Sequence, residues 1–132
     1  VLYFGGLWYT TYDYRIQMRD QMVEMYQQLP NPIPPIEDDY GVHQRWLVFY
    51  IDGVKVLNKP QPENVINEYK KALEKEGWAT EREYEHVRND KNKIYGINMR
   101  KGEFILSVSA RENRDSINIH LIKRDWIYHM GL

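Results

Sequence analysis

The sequence predicts an α+β fold: an antiparallel sheet with one amphipathic helix packed across a face, preceded by an N-terminal helix and a proline-rich linker. An apolar stripe at helical spacing runs through residues 62–76, alternating runs follow it, and the prolines at 30, 32, 34 and 35 separate it from an earlier helix. A helix with one apolar stripe and a sheet with one apolar face both need cover, and stacking them covers both.

The helix opens at Pro62, where a missing N–H costs nothing, and Glu63 suits the positive end of the helix dipole. Val65, Ile66, Tyr69, Ala72 and Leu73 form its apolar stripe; Asn64, Asn67, Glu68, Lys70, Lys71, Glu74 and Lys75 fill the other side. Gly77 fits the left-handed residue of a helix C-terminus, with Trp78 as the hydrophobic partner of that cap.

Strand-like runs follow. Thr80 to Arg88 sets Thr80, Arg82, Tyr84 and His86 against Glu81, Glu83 and Glu85. After the turn signal Asn89-Asp90-Lys91-Asn92, Lys93 to Arg100 places Tyr95, Ile97 and Met99 on one face. Lys101-Gly102 turns the chain into Glu103 to Ala110, where Phe104, Leu106 and Val108 alternate with Ile105, Ser107 and Ser109. Arg111 to Asp115 is a polar turn, and Ser116 to Lys123 sets Ile117, Ile119 and Leu121 inward, Asn118 and His120 outward. The outward face, with Ser107, Ser109, Asn118 and His120, is either simply solvated or a docking surface for a partner or small ligand.

Upstream, Arg45 to Ile51 reads as an apolar strand, and Asp52-Gly53 signals a hairpin returning through Val54 to Leu57. A continuous strand with a glycine bulge is the alternative. Pro30 ends the preceding helix, Asp13 to Gln28, at or before Leu29. That helix carries Met18, Met22, Met25 and Leu29 on one face, a core stripe or the continuation of a stalk. The expected division is residues 1–29 as aromatic segment and helix, 30–40 as a proline-rich acidic linker, and 41–132 as the globular domain.

No charge precedes Asp13. Residues 1–14 are too few to span a bilayer, which takes about 20 apolar residues, but they resemble the exit turns of a spanning helix begun upstream. Trp8, Tyr9, Tyr12 and Tyr14 would then form an interfacial belt, making them the expected membrane-proximal or interaction residues. An aromatic strand of the core, or an interface with another protein, are the competing readings. At the other end, burial of Trp126, Ile127, Tyr128 and Met130 would tie down residues 125–132.

Composition narrows the function. With 18 Lys plus Arg against 19 Asp plus Glu in 132 residues, the chain lacks the basic footprint of a nucleic-acid binder. It has no cysteine, which excludes thiol catalysis, disulfides and zinc-thiolate sites. It has no Gly-rich phosphate loop, His-Glu-x-x-His, EF-hand or Gly-x-Ser-x-Gly motif. Asp38, Asp39 and His43 on one loop are a weak metal set, more simply a solvated acidic loop. Glu81, Glu83 and Glu85 read first as an edge strand kept soluble by charge, against acid–base or cation work. Arg82, Tyr84 and His86 form a mixed polar face that could meet a ligand.

The order helix, Gly77-Trp78, then hairpin strands, with Leu73-Glu74-Lys75-Glu76-Gly77-Trp78 at its junction, resembles the helix-on-sheet domains of small bacterial cell-envelope proteins, membrane-anchored or lipoprotein in type, among them lipoproteins of outer-membrane assembly. The likeness covers roughly Trp46 to Lys123. It implies the fold and an envelope setting, and no functional residue carries over from it.

The leading expectation is therefore a non-enzymatic, envelope-associated interaction or scaffold domain. It would act through a protein partner, with membrane contact at its N-terminus, no nucleic acid, no metal and no cofactor. The alternative is a small-ligand binding domain, cytoplasmic or not, with an aromatic pocket between helix and sheet lined by Tyr69, Trp78, Tyr84, Tyr95 and Met99. An enzyme using His86 or His120 as a base is a third reading, without a supporting constellation.

Overall fold

The computed structural model describes residues 12–45, 48–58, 60–87 and 92–124. They form α1 (Tyr12–Gln27), β1 (Glu37–Arg45), β2 (Val48–Val56), α2 (Pro62–Lys75), β3 (Ala79–Val87), β4 (Lys93–Lys101), β5 (Phe104–Arg111) and β6 (Ser116–Lys123). The strands make one six-stranded sheet in the order β1-β2-β6-β5-β4-β3, with every neighbouring pair antiparallel. The α+β architecture is as the sequence predicts. The last strand, β6, lies inside the sheet and joins the β1–β2 hairpin to the β3–β4–β5 meander.

Both helices lie on one face. α2 packs against β3, β4 and β5, and α1 against β2. Val65, Ile66, Tyr69 and Leu73 of α2 are buried, as its spacing predicts. They meet Ile97, Met99, Leu106, Val108, Ile117, Ile119 and Leu121 from the sheet in one hydrophobic core. The core also takes Met18, Met22, Tyr26 and Leu29 from α1 and the residues just after it. The methionine stripe is thus core packing.

The end of α2 follows its sequence signal closely. Gly77 has φ +93°, its N–H donates to the Glu74 carbonyl at 3.1 Å, and the Trp78 N–H donates to the Leu73 carbonyl at 3.0 Å. These bonds satisfy carbonyls that the helix leaves open, and Trp78 is buried beyond them. At the β4–β5 turn, Gly102 has φ +62°.

Three expectations need correction. Asp52-Gly53 is not a hairpin turn, and no bulge interrupts it. β2 runs straight through, with Asp52 between Gly41 and His120 and Gly53 between Tyr40 and Ile119. Gly53 is there for contact: a Cβ at that position would collide with the Tyr26 ring of α1. The chain instead reverses between Arg45 and Val48, which pair with each other. Second, Glu37–Tyr40, read as the end of the linker, begins β1. Acidic residues are poor strand formers, but β1 is an edge strand, where charge is tolerated. Third, Thr80 does not share a face with Arg82, Tyr84 and His86. A register shift between Thr80 and Arg82 turns Thr80 toward α2, where its hydroxyl donates to Glu74 at 3.0 Å.

The expectations for Val1 to Thr11, including Trp8 and Tyr9, lie outside the described residues, as do those for Trp46, Leu47, residues 88–91 and 125–132. Tyr12 and Tyr14 fall in the first turn of α1. Among the described residues, no helix is long and apolar enough to cross a membrane.

Candidate functional site: the open sheet face

Alternation along each strand sends one set of side chains under the helices and the other onto the opposite face, which no described helix covers. Running across that face from β1, Gly41, Asp52, His120, Ser107, Asn98 and Arg82 form one continuous cross-strand row. The next row is Asp39, Val54, Asn118, Ser109, Gly96 and Tyr84. Between these rows runs a groove of about 200 Å³, walled by Asp52, Val54, Ser107, Ser109, Asn118 and His120.

Asp52 organises one end of the groove. His120 Nδ1 lies 2.6 Å from its Oδ1, and His43 Nε2 lies 3.8 Å from its Oδ2. At 2.6 Å the contact is a hydrogen bond between the His120 ring and the Asp52 carboxylate. The Tyr50 ring packs between the two histidines, stacked on His43 at 5.1 Å and tilted to His120 at 5.5 Å. Gly41 makes this arrangement fit: a Cβ there would come within 3.3 Å of His43 Nε2. Further along the row, the Ser107 hydroxyl donates to Asn98 Oδ1 at 2.8 Å.

This network holds its side chains in place through cross-strand contacts. Nucleophilic catalysis needs a hydroxyl aimed at the base. The Ser107 hydroxyl, directly beside His120 in the row, donates its hydrogen bond to Asn98 Oδ1 and not to the ring. Among the described residues, no group of three His, Cys, Asp or Glu side chains could hold a metal ion.

Arg82, Tyr84 and His86 do share this face. The Arg82 guanidinium lies 5.5 Å from the Tyr84 ring centre, and the Tyr84 and His86 rings are 5.3 Å apart. Tyr84 lies flat over Gly96, where any Cβ would collide with it. The structure therefore divides the five aromatic-pocket residues. Tyr69, Trp78 and Met99 are buried in the core under α2, with Tyr95 half-buried at its border, whereas Tyr84 is on the far side of the sheet. Asp38, Asp39 and His43 are also divided, since Asp38 turns under the helices toward Lys55. On the edge strand β3, Glu83 pairs with Lys70 at 2.9 Å and Glu85 with Lys93 at 3.2 Å.

A second polar cluster lies on the helix side, around the buried Lys55. Lys55 is 2% exposed, hydrogen-bonded to Asn31 Oδ1 and 3.7 Å from the Asp38 carboxylate. Burial holds its ammonium below the usual lysine pKa, against the opposing pull of Asp38. Burial, and next the Asp38 charge, push the Tyr26 and Tyr69 hydroxyls well above the tyrosine range. Both hydroxyls are buried with no hydrogen-bond partner among the described residues. This cluster joins α1 to the sheet, with the Lys55 ammonium 5.9 Å from the Tyr26 ring centre.

Sequence reasoning placed Ser107, Ser109, Asn118 and His120 on this face but missed Asp52, His43 and Tyr50. The available signal was the alternation of Tyr50, Asp52 and Val54 through one unbroken strand. The Asp-Gly pair, a strong hairpin cue, concealed it.

No family model, curated protein or solved structure matches this chain.

Proposed function

We propose that this is a non-enzymatic interaction domain that acts through protein contacts made by its open sheet face. The observation that carries the reading is the asymmetry of the sheet. One face is closed by α1 and α2, while the other presents an ordered side-chain network around a groove. Interfaces favour surfaces whose side chains are already fixed, because less rotamer freedom is lost on binding. Tyr50, fixed between His43 and His120, is the aromatic type enriched at such sites. An envelope-associated setting belongs to the same proposal, supported by the uncharged aromatic run Val1–Tyr12 and by the likeness to envelope domains.

Site-specific photocrosslinking in the native cell tests this. A photoreactive residue at exposed Asn118, on the open face, is expected to give a covalent adduct of discrete mass. The same residue at exposed Lys71, on the outer side of α2, is expected to give none. Adducts from position 71 alone, or from neither position, would overturn the reading.

A further inference from the structure

The open face is charged in two halves. Strand alternation puts Glu37 and Asp39 on it, flanking Asp38, which turns the other way toward Lys55; Asp52 joins them on β2. β6 contributes Ser116, Asn118, His120 and Ile122. Beyond it, Arg111 of β5, Arg100 of β4 and Arg82 of β3 share the face with Ser109, Asn98 and Tyr84. Among the side chains that alternation assigns to this face, the carboxylates lie on β1 and β2 and the guanidiniums on β5, β4 and β3, with β6 as the boundary; Glu81, at the register shift of β3, is assigned to neither face. All of these carboxylates are exposed, as are Arg82 and Arg100, and Arg111 is half-buried.

Resting on the proposal that this face makes protein contacts, we infer that its partner is a second copy of this chain, stacked sheet to sheet. A surface acidic on one side and basic on the other is complementary to itself under a two-fold axis that exchanges the sides. That axis runs parallel to the strands, above the boundary of β6 and β5. It sets β1 of each copy over β3 of the other, and β2 over β4. In that register Asp39 lies opposite Tyr84, one step in the row pattern from Arg82, and Glu37 lies opposite His86. Val54, an apolar side chain left 43% exposed, lies opposite Gly96 with the Tyr84 ring across it. Asn118 meets Ser109 at the axis, a neutral pair of hydrogen-bonding groups. Aligned face-to-face packing of twisted sheets is a standard arrangement. Six strands of about eight residues cover about 29 Å by 26 Å, or about 750 Å² per copy. The free area is somewhat smaller, because Ile105 on the same face is only 6% exposed, and this places the contact toward the small end of specific interfaces, which bury about 800 Å² per partner.

The experiment uses the full chain and two charge-reversed versions. One carries Glu37→Arg and Asp39→Arg, the other Arg82→Glu and Arg111→Glu. By sedimentation velocity the unaltered chain is expected to dimerise, with Kd rising at least about tenfold between about 0.05 M and about 0.5 M salt as charges are screened. Each reversed chain should be monomeric, because its face now carries mainly one sign. Mixing the two should restore a dimer containing one of each. A monomeric parent chain, reversed chains that still self-associate, or a mixture that stays monomeric would each overturn the inference. Should a reversed chain lose its circular-dichroism spectrum, the mass of the Asn118 photoadduct decides: twice the chain mass supports the second copy, and any other mass overturns it. An adduct with a different protein, alongside a monomeric parent, removes the second copy as partner and leaves the proposed function standing. No adduct from position 118 removes both.

Discussion

The Lys55 ammonium and the Asp38 carboxylate lie 3.7 Å apart beneath α1, one almost wholly buried and the other at the edge of solvent. Removing one member of a buried pair leaves the other charge uncompensated, which costs more than the intact pair contributes. Asp38→Asn should therefore destabilise the fold by about 2 kcal/mol, less than a fully buried pair because Asp38 is partly exposed. Lys55→Met keeps the stem and removes the charge, and should cost no more than about 1 kcal/mol. Urea unfolding of both variants checks the asymmetry; equal losses would show that an uncompensated charge costs the same at Asp38 as at Lys55, despite their different burial.

Tyr69 gives the opposite kind of test. Its hydroxyl is buried without a partner, so Tyr69→Phe removes a desolvation penalty and should be neutral or stabilise by about 1 kcal/mol. A loss above that, measured by thermal or urea unfolding, would reveal a hydrogen bond at this hydroxyl.

The same residues set the alkaline limb of stability. In the unfolded chain tyrosine ionises near pH 10, but Tyr26 and Tyr69 hold their protons well beyond that when folded. Above about pH 10 the unfolded state binds fewer protons, so stability falls as pH rises. Lys55 works in reverse. Its folded pKa is lowered, so it loses its proton before the unfolded lysine does, and stability rises toward about pH 10.5. A pH series should show Lys55→Met flattening the rise and Tyr69→Phe softening the fall.

Gly53→Ala should cost about 2 kcal/mol by pushing Tyr26 out of its place against β2. In a double-mutant cycle with Tyr26→Ala, the two losses should fall short of additivity by at least about 1 kcal/mol, since the second change removes the side chain that the first displaces. Additive losses would mean that the glycine serves the strand and not the contact.

The alternating strands and the capped helix α2 were legible in the sequence because both carry their pattern locally. Pro62, the apolar spacing and Gly77 mark α2 without reference to anything distant. β1 was hidden because Glu37, Asp38 and Asp39 look like a solvated loop until Lys55 is seen beneath them, and that pairing joins residues 17 positions apart across a hairpin. The Thr80 error has a similar cause, since a bulge inverts the parity of a strand without any marker in composition. The open face was half legible. Its serines, Asn118 and His120 alternate within single strands, whereas Asp52 meets His120 only through pairing of β2 with β6, 68 residues apart.

The place of β6 in the sheet has a consequence during synthesis. The β1–β2 hairpin and the β3–β4–β5 meander share no direct pairing, so neither can settle against the other until the strand between them has been made. While Ser116–Lys123 is still inside the ribosome, Ile51 of β2 and Leu106 of β5 each stand at an unpaired edge where Leu121 will later sit. Unpaired edges invite pairing with other chains, and contacts distant in sequence form slowly. The nascent chain is thus most exposed to misassociation just before its final described strand emerges, and that is the interval in which a chaperone would have the most to protect.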